Sequence, residues 1–216
     1  MQTNGTLLEG SVLSKLQEAG LDRINLSMMA LEPELAKKLA GYGWYDVEKI
    51  KHVAKLIADS KIDLLIAPVY LPKINDSEIP KLIKFAKEIG AGKKWPALGI
   101  QKFEKYKLGR KPKGIGIQNW WRFYNQSIKS WEKEFGQKLI LQQKDFGIEK
   151  REMLPTVFEK GEKVNVEIKA PGWLKDEMLG VAKGRVISVL NCLKKEGQLR
   201  VKILSNKHNI YVAEII

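Results

Sequence analysis

The chain has 216 residues, room for one large or two modest domains. It is 44% hydrophobic and 29% charged, a globular composition that excludes a disordered chain. Its 38 Lys and Arg against 25 Asp and Glu leave +13, which fits either a solvated lysine-rich surface of a heat-adapted protein or a polyanionic partner. One cysteine, Cys192, excludes an internal disulfide and a cysteine-built zinc or iron–sulfur site within the chain, and the two histidines, His52 and His208, lie far apart, so no metal ligands are assigned. No apolar run approaches the ~20 residues of a membrane span. The start, MQTNGTLLEG, has no signal-peptide shape, so the expectation is a cytoplasmic, reduced protein that uses no membrane.

Met1 to Gly5 reads as too short to form a useful strand alone. Leu13 to Ala19 reads as a short helix stopped at Gly20, and Arg23 to Met28 as a strand. A helix follows with Pro33 at its start, running to about Leu39. Gly41, Gly43, Trp44 and Tyr45 form a turn, and Asp46 caps a helix from Val47 to Ser60 whose apolar stripe is Val47, Ile50, Val53, Ala54 and Ile57. Ile62 to Val69 is apolar throughout, the habit of a strand buried on both faces of a parallel sheet. Asn75 and Asp76 then read as N-caps of a helix from Ser77 to Ile89, and Ala97 to Phe103 as a further strand. Strand and helix thus alternate, and the loop from Pro68 to Asp76 sits at a strand's carboxyl end, where parallel α/β folds carry ligands.

Lys102 to Lys113 breaks this pattern with six basic residues and one acid: Lys102, Lys105, Lys107, Arg110, Lys111 and Lys113 against Glu104. This run is a polyanion candidate or a solvated loop. Trp120 to Phe135 reads as a helix whose Trp120, Trp121, Phe123 and Tyr124 are expected to be mostly buried packing. Lys138 to Gln142 is a candidate last strand. Residues 145–156 read as a linker between an α/β domain, 1–144, and a second domain, 157–216. There Glu162 to Lys169 alternates strictly, Leu179 to Leu190 is strand-forming with a bend at Gly184, and Leu199 to Leu204 and Ile210 to Ile216 follow. Four or five short strands in about 60 residues suggest a small closed barrel.

Three stretches carry a resemblance: Thr3-Asn4-Gly5 followed by a helix, Asp22 to Leu31 (DRINLSMMAL), and Ile66 to Ile79 with its Asn-Asp helix start. In order and spacing they resemble the third to fifth strands of the radical S-adenosylmethionine (SAM) enzymes, with Gly99 to Lys102 as the sixth. The resemblance implies a partial parallel (β/α) barrel, with SAM near Thr3, Asn4 and Ser27, and Pro68 and Gln101 lining the site. It also implies a [4Fe-4S] cluster, but the family's Cys-x3-Cys-x2-Cys loop is absent here, and Met29 stands where the fourth strand has its usual aspartate. By this resemblance the cluster loop would precede Met1, so the expectation is an N-terminal radical-SAM half as partner, or self-association.

The tail, FEKGEKVNVEI followed by the basic VAKGRVISV, resembles a TRAM domain, a small barrel related to oligonucleotide-binding (OB) folds on RNA-modifying enzymes. That resemblance implies RNA binding by Trp173, Lys175, Lys183, Arg185 and Lys202, added to the Lys102–Lys113 run; the alternative is that Trp173 plugs the barrel end and the lysines are solvated. The functional expectation is the carboxyl-terminal part of a radical-SAM-type RNA-modifying enzyme, not competent alone. The rival is a non-enzymatic RNA-binding protein.

Overall fold

The computed structural model describes residues 1–106, 109 and 115–216, so Lys107, Arg110, Lys111 and Lys113 of the basic run lie outside the described residues. It divides into two compact units, Met1–Glu149 and Lys150–Ile216.

In the first unit β1 (Gln2–Thr3), β2 (Arg23–Leu26) and β3 (Asp63–Ile66) form a parallel sheet in the order β1-β2-β3. Met1–Gly5 therefore does contribute a strand: two residues suffice because they borrow the neighbouring ladder, with the Ser27 N–H donating to the Thr3 carbonyl at 2.8 Å. Helix α1 (Gly10–Glu18) links β1 to β2, α2 (Pro33–Ala40) and α3 (Val47–Asp59) together link β2 to β3, and α4 (Glu78–Glu88) follows further on. Asp46 caps α3 by accepting from the N–H groups of Glu48 (2.9 Å) and Lys49 (3.2 Å). The α3 stripe of Ile50, Val53, Ala54 and Ile57 packs in one core with Ile24, Leu26, Leu64 and Ile66 of the sheet. Gly5 is required here: its φ is +79°, and a Cβ would sit 2.8 Å from Leu26 Cδ1.

The apolar run Ile62–Val69 is not one strand. Ile66 hands its pairing to the segment 97–99, and Pro68 has no N–H to extend the ladder. The chain resumes as β4 (Val69–Tyr70), parallel to β5 (Gln101–Lys102). Asn75 is likewise not a side-chain cap. It is fully buried and its amide ties loops together, accepting from the Leu71 N–H (2.8 Å) and donating to the carbonyls of Met29 (3.0 Å) and Val69 (3.0 Å). Its backbone carbonyl serves the start of α4, accepting from the N–H groups of Glu78 and Ile79. Asp76 instead accepts from the Tyr70 hydroxyl at 2.8 Å.

The aromatic helix is α5 (Trp120–Arg122), a π-helical segment over Phe123–Ile128, and α6 (Lys129–Phe135). Phe123 and Trp131 are buried, but Trp120, Trp121 and Tyr124 are exposed, against the expectation of mostly buried rings. Adjacent positions point around the helix, and one stripe reaches the core. Lys138–Gln142 is not a strand either. The N–H groups of Leu139 and Ile140 donate to Glu132 Oε1 (2.6 and 2.7 Å), and that of Gln142 to Asp145 Oδ2 (2.7 Å), so carboxylates take the place of a neighbouring strand.

The second unit is a closed five-stranded barrel of β6 (Lys163–Pro171), β7 (Met178–Ala182), β8 (Arg185–Leu190), β9 (Gly197–Ser205) and β10 (Tyr211–Ile215), in the order β10-β8-β7-β6-β9. All pairs are antiparallel except β8–β10, which is parallel. Alternation places Val164, Val166 and Ile168 inside with Ile187, Val189, Val201, Ile203 and Tyr211. Closure removes the sheet edges.

Candidate functional site

In β2 the period of two puts Ile24 and Leu26 on the helix-covered core and leaves Arg23, Asn25 and then Ser27 on the opposite, half-buried face. Register aligns Asn25 with Gln2 and Leu65, and Arg23 with Asp63. Two cavities open on this face. One, of about 170 Å³, lies at the carboxyl ends of β1 and β2 and is lined by Asn4, Ser27, Met29, Tyr42 and Tyr45 among others. The other, of about 340 Å³, is lined by Arg23, Asn25, Gly99, Gln101 and Phe146 among others. Asn25 Oδ1 is buried with no hydrogen-bond partner among the described residues.

Of the residues expected near SAM, the structure thus brings together Asn4 and Ser27. Gln101 lines the second cavity. Thr3 aligns with Leu26, not with Ser27, and its Oγ1 accepts from the Gly5 N–H at 3.1 Å. Asn4 Oδ1 accepts from the Thr6 N–H (3.2 Å) and hydroxyl (2.9 Å), so Thr3 and Asn4 also shape the turn. Pro68 is buried and contributes a carbonyl that accepts from the Gln101 N–H at 2.8 Å. The residues missed from sequence are Arg23, Asn25, Tyr42 and Tyr45. The polar alternation Arg-x-Asn-x-Ser in β2 could have found the first two.

Buried polar groups hold the loops around the first cavity. Glu78, itself buried, accepts from the N–H groups of Leu31 (2.6 Å) and Glu32 (2.9 Å) at the start of α2 and pairs with Lys81 (2.6 Å). Desolvation pushes its carboxyl up, but Lys81 and the two backbone donors together outweigh it, and the pKa falls below the usual glutamate range. The Tyr45 hydroxyl is pushed up to about 12 by burial; Tyr70 reaches about 12 by burial and then by its bond to Asp76. Both phenols stay neutral near pH 7.

A cavity of 170 Å³ is below the roughly 300–1,000 Å³ that encloses a drug-sized ligand, so it fits part of a nucleoside cofactor and not a whole one. A [4Fe-4S] cluster does not fit this chain. Cys192 is the single cysteine, it is buried in the barrel core, and its Sγ donates to the Lys194 carbonyl at 3.4 Å. Among the described residues no three His, Cys, Asp or Glu side chains are grouped to hold a metal.

The residues expected to bind RNA are dispersed. Lys102 is buried: its ammonium pairs with Glu104 at 2.8 Å and lies 4.9 Å from the centre of the Trp120 ring, so its charge is spent internally and not offered to a phosphate. Lys105 is exposed. On the barrel, Trp173 is 95% exposed, which rules out a plug; Lys175 beside it is also exposed. Both sit in the β6–β7 loop, at one end of the barrel. Lys183 and Arg185 sit at the other end, around the β7–β8 turn. Lys183 pairs with Glu162 (3.3 Å) and lies 5.0 Å from the centre of the Phe158 ring, while Arg185 Nε is buried without a partner among the described residues. Lys202 is exposed on β9, opposite Lys163. Exposed Leu174 and Leu193 lie in the loops at the Trp173 end and were not singled out beforehand.

Residues 1–86 match the Radical SAM superfamily. An uncharacterized protein of Methanocaldococcus jannaschii is 42% identical over 235 positions that take in all of this chain and 54% of that protein. A probable GTP 3',8-cyclase of the same organism is 37% identical over 91 residues, 42% of this chain and 30% of the cyclase. The probable GTP 3',8-cyclase of Pyrococcus horikoshii is 33% identical over 93 residues, 42% of this chain and 28% of that protein. The chain therefore spans about half the length of the first of these relatives and under a third of the other two. Among solved structures, Streptococcus suis SuiB superposes on 64% of this chain and 30% of its own with a TM-score of 0.49 at 18% identity, a likeness too slight to build on. The match to the Radical SAM superfamily thus falls on the first 86 residues, within the α/β unit, and a closed five-stranded barrel forms the second unit. No helix among the described residues is long and apolar enough to cross a membrane.

Proposed function

We propose that this chain supplies one part of a radical-SAM-type, RNA-modifying enzyme: a portion of the SAM- and substrate-facing barrel, and a TRAM-like tail that holds RNA. The observation that carries the reading is the pairing of Asn4 and Ser27 in one cavity at the carboxyl ends of parallel strands, inside the segment that matches the superfamily. When bound together, SAM and a [4Fe-4S] cluster supply radical chemistry. Here the Asn4 amide and Ser27 hydroxyl would meet polar groups of SAM, while Tyr42, Tyr45 and Met29 would wall out water. The cluster would come from a separate N-terminal partner carrying the cysteine loop, and β1, the edge strand of its sheet among the described residues, is a surface to which a partner's strand could add.

The tail's role rests on topology and chemistry. Numbered one to five, the barrel strands run 1-2-3-5-4 and close with three and five parallel, as an OB-type Greek-key barrel does. Trp173 offers a ring to a base, and Lys175, Lys183, Arg185 and Lys202 offer charge to phosphates. The lone cysteine favours a second reading, RNA binding without chemistry.

The test is to purify the chain with any copurifying polypeptide that carries three closely spaced cysteines, and to measure SAM binding to the assembly. Ser27→Ala is expected to weaken SAM without lowering Tm, and adding Asn4→Ala to weaken it about tenfold in all, with a small fall in Tm because the Thr6 N–H and hydroxyl lose their acceptor. Unchanged affinity would overturn the SAM assignment. Salt-dependent RNA binding with no partner and no SAM binding would leave the second reading.

A further inference from the structure

A cavity of about 630 Å³ in the first unit lies at the amino ends of the strands, away from Asn4 and Ser27. One wall comes from the end of α4 and the loop behind it: Lys87, Lys94, Trp95 and Pro96. The other comes from the chain after α6, with Phe135, Gln137 and Lys138. The lining holds three lysines and one acid, Asp145. That acid is engaged by Lys138 at 2.5 Å, which together with the Gln142 N–H holds its pKa below the usual carboxylate range. Lys87 and Lys94 are exposed and have no carboxylate partner among the described residues, so two ammonium groups face the groove with nothing to neutralise them.

The wall is built, not incidental. Asp63, buried at the start of β3, accepts from the N–H groups of Lys93 (2.9 Å), Lys94 (2.6 Å) and Trp95 (2.9 Å). Lys93 is turned away, its ammonium bonded to the Ser60 carbonyl. Lys94 is left beside the ring of Trp95, 4.7 Å from its centre, and the Arg23 guanidinium lies 5.2 Å from the same centre. Cations beside apolar Trp95, Pro96, Phe135 and Leu141 match a ligand that alternates phosphates with flat, weakly polar groups.

We infer that this groove binds the phosphates of a single-stranded nucleic acid segment, Lys87 and Lys94 contacting successive phosphates. This site is independent of the SAM assignment and of the barrel residues, and it adds a second nucleic-acid contact in the α/β unit itself.

The experiment uses the full chain and a fluorescein-labelled 12-residue oligouridylate, with anisotropy read over a range of salt. Lys87→Gln with Lys94→Gln is compared with Lys15→Gln with Lys55→Gln, which removes the same charge from exposed helix positions outside the groove. Each contact on a single strand carries roughly 0.7 log unit per decade of salt. Losing two should weaken binding about tenfold or more near ~0.1 M salt and reduce the slope by about 1.4. The Lys15 and Lys55 variant should change affinity by less than about twofold. Inorganic tripolyphosphate is the competitor: displacement at low micromolar concentration would assign the site to free polyphosphates, and displacement only at millimolar levels to a strand. Equal losses in both lysine pairs, or none in the groove pair, would overturn the inference, because net charge alone would then account for binding. Trp173→Ala, measured in parallel, separates this groove from the barrel: it should weaken binding with the salt slope kept, whereas the groove pair reduces the slope.

Discussion

Asn75→Ala should be among the most damaging single changes in the α/β unit. The side chain is fully buried and makes three hydrogen bonds, to the Leu71 N–H and to the carbonyls of Met29 and Val69, at 2.8 to 3.0 Å. Alanine leaves a buried donor and two acceptors without these bonds. Each orphaned group costs about 1–3 kcal/mol, less for a carbonyl with a second lone pair free, so a total near 4 kcal/mol is expected. For a chain of this size each kcal/mol moves Tm by about 2–4 °C, giving a fall of roughly 8–16 °C. The two units give two transitions unless they unfold together, so the readout must belong to the first unit. Tryptophan fluorescence serves, since Trp131 is buried there while Trp173 of the barrel is already solvated. Urea melts followed this way should show a lower midpoint and an unchanged slope for that transition, with the barrel transition, followed by far-UV circular dichroism, unmoved. Because Asn75 also fixes Met29, a wall of the smaller cavity, ligand affinity there should fall as well. A loss under about 1 kcal/mol would refute the reasoning and mean that water replaces the amide.

Glu78 should make the first unit acid-sensitive. Its folded pKa is depressed, so its stabilisation is complete above the ordinary value of 4.5 and is lost as pH falls through the folded value; the stability gap between wild type and Glu78→Gln should close over that window, and a gap constant from pH 7 to pH 3 would exclude this role. Gly5→Ala places a Cβ 2.8 Å from Leu26 Cδ1 at a φ of +79°, and should cost about 1–3 kcal/mol by denaturant titration. Trp173→Ala, at a ring 95% exposed, should leave the unfolding free energy within about 0.5 kcal/mol of wild type yet weaken oligonucleotide binding by ~1–3 kcal/mol, with the salt slope kept; a large loss of stability would point to a structural role instead. Lys102→Met should leave oligonucleotide affinity unchanged, because the ammonium is already paired with Glu104 and covered by Trp120.

Local pattern was enough for most elements. The apolar stripe of α3, Asp46 as its cap, Pro33 opening α2 and the strict alternation of β6 each arise from neighbours a few residues apart, so they can be read along the chain. The number of barrel strands was legible for the same reason. What the chain alone could not disclose were the partners of polar groups, which come from distant segments. Asn75 looked like a cap and became a tie between loops because Met29, 46 residues away, lies beside it. Lys138–Gln142 looked like a strand and became a carboxylate-bound turn because Glu132 and Asp145 reach its N–H groups first. Lys102 belonged by composition to a basic run, yet the pleat turned it inward onto Glu104 and Trp120, while Gln101 beside it faces out. The groove of Lys87 and Lys94 had no sequence signature at all. Its residues come from the end of one helix, a loop pinned by Asp63 and the chain after another helix, and only folding brings them to one surface.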